Sequence, residues 1–432
     1  MAALETIYTS ESSSLKIGPG ATREAGFDLA RLGARRVLVV TDPRLAASAP
    51  VATALESLRT AGIAAEVFDR VRVEPTDGSF KEAIEVAVRG GFDGYVAIGG
   101  GSSIDTAKAA NLYATYPADF LAYVNQPIGE GRPVPGALKP LIAIPTTIGT
   151  GSEATGVAIF DFEALRAKTG IAHRALRPAL GIVDPDNLRS LPPMVAACSG
   201  FDVLCHAIES LTVLPYHRRP APESPLLRPA YQGANPISDI WAGRALELAA
   251  AHIVQASAEP GAAPEAAIAA ARAQMQLAAT FAGMGFGNAG LHLAHGMSYA
   301  VSGLVRDYVA PGYPGSHPLI PHGMSVVLNA PAVFRFTAPA DPERHLHAAH
   351  LMGVDVSGVR PEQAGDVLAE AIIRLMRRTG MPNGLQAVGY TPADIDRLVE
   401  GTLPQHRVTR LSPRPFTADD LRRLFLDAMR YW

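Results

Sequence analysis

"YVAIGGGSSIDTAKAANLYA", residues 95–114, decides how the first half of the chain is read. Tyr95, Val96 and Ile98 make a short β-rich run, three glycines break it, and Ser102 onward has helical character. Glycines at such a turn let a phosphate approach the backbone, where open N–H groups and the helix dipole favour an anion. A tight strand-to-helix turn with no ligand has the same composition, so the turn alone leaves both readings open. Working outward, "RRVLVVTD" (35–42), "AAEVFDRV" (64–71) and "LIAIPTT" (141–147) read as strands, and "DGSFKEAIEVAVRG" (77–90) as a helix capped by Asp77 or Ser79. Strand, helix, strand in that rhythm predicts a parallel sheet with helices on its faces. "TGVAIFDFE" and "GIVDP", around 155 to 185, are expected to add a hairpin or paired strands.

After about residue 190 the pattern changes to Ala-rich helical segments, including 238–257, 261–283, 362–379 and 417–430. "TPADID" from 391 and "TADDLR" from 417 each place a threonine cap three residues before an acid. The expected architecture is an α/β dinucleotide-binding domain over 1–190, followed by an all-α metal- and substrate-binding domain over 191–432. Two proline-rich connections, 214–237 and 307–321, interrupt the second part, and loops this long are usually functional or disordered.

The 432 residues are 48% hydrophobic and 18% charged with a net charge of −3, which fits a globular enzyme rather than a disordered chain. No basic block is present, so a nucleic-acid partner held by counterion release is not expected. Cys198 and Cys205, seven apart, form neither a disulfide framework nor a thiolate zinc motif and are expected to be buried as small hydrophobes. The opening "MAALETIYTSESSSLKIGPG" shows no readable secretory or mitochondrial signal, giving a default expectation of cytoplasm. Apolar segments such as 261–283 are interrupted by Glu265, Arg272 and Gln274, so no membrane span is expected.

Asp42 ends the first confident strand, where an acid can accept hydrogen bonds from an adenosine ribose or simply cap the following turn. Here the acid precedes the glycines, the reverse of the usual dinucleotide fingerprint. A second loop, "TTIGTGSEATG" (146–156), adds glycines and hydroxyls but lacks the Gly-Lys-Ser/Thr ending of a P-loop. In "SGFDVLCHAIES" (199–210), Asp202 and His206 stand four apart on one helical face. "GLHLAHGMSYAV" supplies His292 and His295, and "PHGMSVVL" supplies His322. An aspartate with three histidines suits Fe(II) or Zn(II) with a position left open. Each histidine taken singly reads equally as a packed or capping residue. The glycine after His295 and after His322 would permit close approach of the chain.

"GGGSSIDTAK", "IPTTIGTGSEATGVAIF", "GFDVLCHAIES", "GNAGLHLAHGMSYAV" and "PHGMSVV", in that order, resemble the iron-containing alcohol dehydrogenase family over essentially the whole chain. The resemblance implies a metal held by Asp202, His206, His295 and His322, Fe(II) foremost and Zn(II) the alternative. It implies NAD as cofactor, with the phosphate turn on Gly99, Gly100, Gly101 and Ser102 and a second loop contributing Thr146, Thr147 and Ser152. Lys168 matches a lysine near the cofactor, and Asp42 and Asp105 complete the expected cofactor set. Small-molecule substrates, a homo-oligomer and an active site in the cleft between the domains are further family-level expectations. "RVEPTDGSFKEAIE", "LPYHRRP", "RPAYQGANPISDIWA" and "PERHLHAAHLMG" resemble the hydroxyacid-oxoacid transhydrogenase branch. That implies exchange of a hydride between 4-hydroxybutyrate and 2-oxoglutarate, with the nicotinamide cycling in place. Where many family members have a histidine four residues after the third ligand, this chain has Tyr299, a poorer base at an ordinary pKa of about 10. Tyr299 is therefore the candidate for the proton route, and His292, one helical turn before His295, a catalytic candidate that would contact substrate or support a ligand, the alternative being a packed histidine. Arg218, Arg219 and Arg228 are candidates to hold substrate carboxylates in a bidentate fork. The nearest rival is an NAD-dependent alcohol or 4-hydroxybutyrate dehydrogenase that releases NADH. A metal hydrolase would need neither Asp42 nor the glycine turn, and a structural metal site would be closed and cysteine-rich.

Overall fold

The computed structural model describes residues 3–165, 167–313 and 318–432; residues 314–317 of the second proline-rich connection lie outside the described residues. The chain divides into two units, Ser12–Leu191 and Pro192–Trp432, the second joined by residues 3–11.

In the first unit the strands are β1 (Ser14–Ile17), β2 (Arg36–Val40), β3 (Ala64–Phe68), β4 (Gly94–Gly99), β5 (Leu141–Pro145), β6 (Val157–Phe162), β7 (Ala167–Ala172) and β8 (Leu180–Val183). The helices are α1 (Ala25–Arg31), α2 (Ala49–Thr60), α3 (Asp77–Gly90) and α4 (Gly101–Thr115). Six strands form one sheet in the order β1-β8-β5-β4-β2-β3, every neighbouring pair parallel. Side chains alternate across it. Val37, Val39, Ile98, Ile142 and Ile182 pack with Leu29, Val51 and Leu58 of α1 and α2. Leu38, Val40, Tyr95, Ala97 and Leu141 pack on the other side with Ala83, Ile104 and Ala107 of α3 and α4. Both faces are covered, so the central strands are continuously apolar.

From β2 the chain runs outward to β3 and then crosses back to β4 on the other side of β2. This is the topological switch point, where ligands of open α/β sheets bind beyond the strand carboxyl ends. The Gly99–Gly101 turn follows β4 there, and Asp42 follows β2. A Cβ on Gly99 would lie 2.3 Å from Ser103 Oγ, and one on Gly101 2.6 Å from Thr150 Cγ2. Only glycine lets the helix start fold this tightly against the β5–β6 loop.

Two expectations are corrected in this unit. Thr76 caps α3 instead of Asp77 or Ser79: its Oγ1 accepts from Ser79 N (3.2 Å), and Ser79 Oγ accepts from Thr76 N (2.9 Å). Only β6 and β7 make the antiparallel hairpin. The start of the "GIVDP" run belongs instead to β8, Leu180–Val183, which is buried at every position and pairs with β5 and β1 in the main sheet.

The second unit is helical: α5 (Pro193–Thr212), α6 (Pro236–Ala256), α7 (Glu265–Ala289), α8 (Leu293–Gly303), α9 (His322–Val327), α10 (Ala330–Thr337), α11 (Pro342–Leu351), α12 (Ala364–Arg378), α13 (Ile395–Thr402), α14 (His406–Thr409) and α15 (Ala418–Asp427). Thr417 caps α15 through a capping box with Asp420, and Thr391 makes the same box with Asp394 before α13. Among the described residues, α5 is the one helix long and apolar enough to cross a bilayer, and its apolarity goes with burial among α6, α7 and α9. Residues 3–11 depart from the expected 1–190 domain because the 214–237 connection needs them. Glu5 N donates to Arg219 O (2.8 Å), Thr9 N donates to Gln232 Oε1 (2.8 Å) and Gln232 Nε2 returns a bond to Thr9 O (2.9 Å).

Asp105 ties α4 to the loop after β5. Its Oδ1 accepts from Ser152 Oγ (2.5 Å) and its Oδ2 from Ile159 N (2.9 Å), while the buried Lys108 ammonium donates to Ser152 Oγ (2.6 Å) and Val157 O (2.8 Å). Removing one partner from a buried charge pair is costly. Asp105→Ala is expected to destabilise the protein by about 3 kcal/mol in denaturant titration, whereas Asp105→Asn loses less.

Candidate metal centre

Asp202 and His206 point the same way from successive turns of α5. His295 comes from the first turn of α8, and His322 opens α9. Asp202 Oδ1 lies 3.6 Å from His206 Nε2, 3.4 Å from His295 Nε2 and 3.5 Å from His322 Nε2. All four ligand atoms fall within 4.8 Å of one another. Bonds of about 2.1 Å to one tetrahedral ion would set ligand atoms roughly 3.4 Å apart. Asp202 Oδ1 and His295 Nε2 are buried and make no hydrogen bond among the described residues. An apposed oxygen and nitrogen left in that condition fit a divalent cation, and the donor set suits one. The His322 side chain is 24% exposed against 1–5% for the other three, so the cluster opens on its side.

Burial alone would raise the Asp202 carboxyl, but the imidazoles of His206, His322 and His295 hold it far below the carboxylate range. Burial pushes His206 down to about 3 despite the pull of Asp202, keeping that ring a neutral nitrogen donor.

The residue missed in the sequence is Glu209, fully buried on α5 one turn beyond His206. Its Oε2 hydrogen-bonds His295 Nδ1, and its Oε1 accepts from the backbone N–H groups of His292 (3.2 Å), Ala294 (2.9 Å) and His295 (3.4 Å). One carboxylate thus caps α8 and fixes the tautomer that turns His295 Nε2 toward Asp202. Burial raises the Glu209 carboxyl, but His295 and His292 outweigh it and bring it to about 2. Burial lowers His295, and Glu209 with Asp202 outweighs that, to about 9. The available signal was spacing: Asp202, His206 and Glu209 stand at i, i+4 and i+7 on one face.

Two glycines permit close helix approaches around the cluster. A Cβ on Gly323 would sit 2.0 Å from the Cys198 carbonyl oxygen of α5. One on Gly296 would sit 2.5 Å from Thr409 Cγ2, where α14 packs on α8. Cys198 and Cys205 are buried free thiols; burial pushes Cys198 up to about 12 and Cys205 well above its usual value.

His292 stands outside the four-ligand cluster. Its ring is fully buried, with Nε2 3.0 Å from Thr212 Oγ1 and Nδ1 3.3 Å from Glu209 Oε1, and burial pushes it down to about 4. Tyr299 lies one turn after His295 on α8. Its ring centroid is 6.2 Å from that of His322 with 27° between planes, and its oxygen accepts from Arg407 Nη2 (2.8 Å).

Several expected cofactor residues already have internal partners. Asp42 Oδ1 accepts from Arg44 N (2.9 Å) and Leu45 N (3.2 Å), the capping use. Asp105 and Ser152 belong to the Lys108 network, and Lys168 pairs with Glu74 (2.7 Å) and Asp161 (3.0 Å). Ser102 Oγ accepts from Glu74 N (3.2 Å), and Thr146 N donates to Gly99 O (3.0 Å), bringing the two glycine-containing loops together. A Cβ on Gly100 would meet Thr147 Cγ2 at 3.1 Å. Of the expected substrate arginines, Arg228 is paired with Glu5 (3.1 Å), Arg219 is half-buried, and Arg218 is exposed.

Residues 12–185 match the family model for iron-containing alcohol dehydrogenase, and residues 230–429 match that for the C-terminal part of the Fe-containing alcohol dehydrogenase family. The chain belongs to the iron-containing alcohol dehydrogenase family. Membership makes it an oxidoreductase acting on small molecules. The mitochondrial hydroxyacid-oxoacid transhydrogenase of Bos taurus is 54% identical over 97% of this chain and 89% of its own length. The solved structure of 1,3-propanediol oxidoreductase aligns with a TM-score of 0.84 and 28% identity, covering 98% of this chain and 100% of that one. A sulfoacetaldehyde reductase from Bifidobacterium kashiwanohense, solved with NAD+, aligns with a TM-score of 0.78 and 25% identity, covering 98% of each chain. The cytoplasmic expectation is overturned: the bovine relative and others at the same identity are mitochondrial by name. That expectation had rested on finding no readable targeting signal, which is no evidence of compartment.

Loss of Asp202 in Asp202→Ala is expected to abolish metal retention, measured as bound metal after dialysis. Glu209→Gln keeps the ligands but loosens His295, and is expected to weaken metal affinity about 10–100-fold in chelator competition. Gly323→Ala is expected to lose metal as well, since a backbone carbonyl cannot yield to the new methyl.

Proposed function

We propose that this chain is a hydroxyacid-oxoacid transhydrogenase. It moves a hydride from a hydroxyacid such as 4-hydroxybutyrate to an oxoacid such as 2-oxoglutarate through a nicotinamide cofactor that stays bound. The observation that carries this reading is the 54% identity to a transhydrogenase across 97% of the chain. The apposed carboxylate and three imidazoles, open on the His322 side, supply the chemistry it needs.

Asp202, His206, His295 and His322 would hold the metal, Fe(II) in this reading. A divalent cation bound there supplies Lewis-acid polarisation of an alcohol or carbonyl oxygen. Glu209 keeps His295 in the ligating tautomer. Proton transfer falls to Tyr299 Oη, beside His322 on the open side, rather than to His292, which is engaged with Thr212 and Glu209. On the cofactor side, backbone N–H groups of Gly99–Ser102 and the Thr146–Thr147 loop face the switch point and suit a dinucleotide pyrophosphate. Asp42 keeps one carboxylate oxygen for a ribose hydroxyl, and NAD is the cofactor in this reading. A homo-oligomer is part of the proposal.

The second reading, an NAD-dependent dehydrogenase that releases NADH each turn, is favoured by structural neighbours named 1,3-propanediol oxidoreductase and, from Oenococcus oeni, alcohol dehydrogenase. Metal-loaded protein given 4-hydroxybutyrate and 2-oxoglutarate, with no free nicotinamide, separates the two. The transhydrogenase turns over many times per bound cofactor. At most one turnover, rising to many only with added NAD, would replace this reading with the second.

A further inference from the structure

Arg407 is a cation in an unusual position. It lies on α14, which Gly296 allows to pack directly against α8, the helix carrying His295 and Tyr299. Its Nη2 donates to Tyr299 Oη (2.8 Å), and its guanidinium lies 5.1 Å from the centroid of the Tyr231 ring. Its Nη1 is buried and makes no hydrogen bond among the described residues, and no carboxylate among them pairs with it. Tyr299 in turn lies beside His322, the ligand on the open side of the cluster. A half-buried guanidinium with one enclosed nitrogen, two aromatic neighbours and no counter-charge among the described residues is poorly compensated. Its planar fork matches a carboxylate, and the unsatisfied Nη1 is one tine of that fork.

We propose that Arg407, braced by Tyr299, binds the carboxylate that is remote from the reacting carbon in both substrates. The assignment rests on the transhydrogenase reading and deepens it. In 4-hydroxybutyrate the hydroxyl-bearing carbon and the carboxylate are separated by three carbon–carbon bonds. In 2-oxoglutarate the keto carbon and the distal carboxylate have the same separation. One fixed cation therefore serves both half-reactions with the reacting oxygen at the same place. Such a device accounts for an arginine held rigidly by a phenol, where a flexible lysine would not fix the distance.

The test compares 4-hydroxybutyrate with its uncharged isostere, 4-hydroxybutyramide, on each protein preparation. The ratio of the two kcat/KM values does not depend on the fraction folded or metal-loaded. Wild-type protein is expected to prefer the acid, and Arg407→Gln to reduce that preference about 10–100-fold, the range of a charge-assisted hydrogen bond. Arg407→Lys keeps the charge without the fork and is expected to retain part of it. Calorimetric binding of butyrate, which cannot react, is expected to weaken in step. If Arg407→Gln lowers acid and amide equally, or leaves the preference and butyrate binding intact, the assignment of Arg407 is wrong while the transhydrogenase reading stands. If wild-type protein itself shows no preference for the acid, the hydroxyacid reading fails, and the role of Arg407 with it.

Discussion

The helical unit depends on one buried carboxylate. Placing an ion at Glu209, in the middle of an apolar helix, costs several kcal/mol in desolvation. That cost is offset only because three backbone N–H groups at the start of α8 and the His295 imidazole converge on it. Those N–H groups have no partner within their own helix and form the positive end of its dipole. A single side chain therefore satisfies a helix start, neutralises its own burial and sets a tautomer. With Nδ1 turned to Glu209, His295 presents Nε2 to Asp202, and the ligand set closes around a point rather than a surface.

The second constraint is distance. Ligands from three helices can meet only if the helices approach closer than ordinary side chains permit. Gly323 does this for α9 against α5, where a methyl would strike a carbonyl oxygen. Gly296 permits a different close approach, that of α14 to α8, which carries His295. Glycine within a helix costs about 1 kcal/mol relative to alanine. Here that loss is outweighed by the contacts of a buried helix interface. The α5 helix follows the same logic: it is long and apolar because most of it is packed, and Asp202, His206 and Glu209 are buried where they face partners on α8 and α9.

Much of this was legible, and the limits have physical causes. Buried parallel strands advertise themselves as apolar runs, so the sheet was readable from Val37, Ile98 and Ile144 and their neighbours. Thr417 and Asp420 announced a helix start through capping chemistry that is entirely local. Edge strand β1 was not seen, since its four residues carry no strong pattern. The metal cluster was half legible: Asp202 and His206 share a face by periodicity, but three candidate histidines each had a bland alternative. Only tertiary packing brings His295 and His322 to Asp202 and turns His292 to Thr212. Glu209 escaped because an acid on a helix ordinarily marks the solvated face. Asp105 and Ser152 show the same limit from the other side: periodicity places a polar residue at a position, but it cannot name the partner.

The treatment of cations sharpens the contrast. Lys108 is buried and answered by Asp105 and Ser152; Lys168 is buried between Glu74 and Asp161; Arg228 is tied to Glu5. Asp105 lies one turn from Lys108 on the same helix, whereas Ser152, Glu74 and Glu5 come from segments distant in sequence that the fold brings to their cations. Arg407 is held as firmly as these, by a hydrogen bond to Tyr299 and by the face of Tyr231, yet with aromatic partners rather than an anion. Phenols orient a guanidinium without cancelling its charge. A site built to accept an anionic substrate needs both properties at once: geometry fixed in advance and charge left to be met from outside. A phenol at Tyr299, accepting from Arg407, is compatible with both: it fixes the guanidinium and leaves its charge unmet.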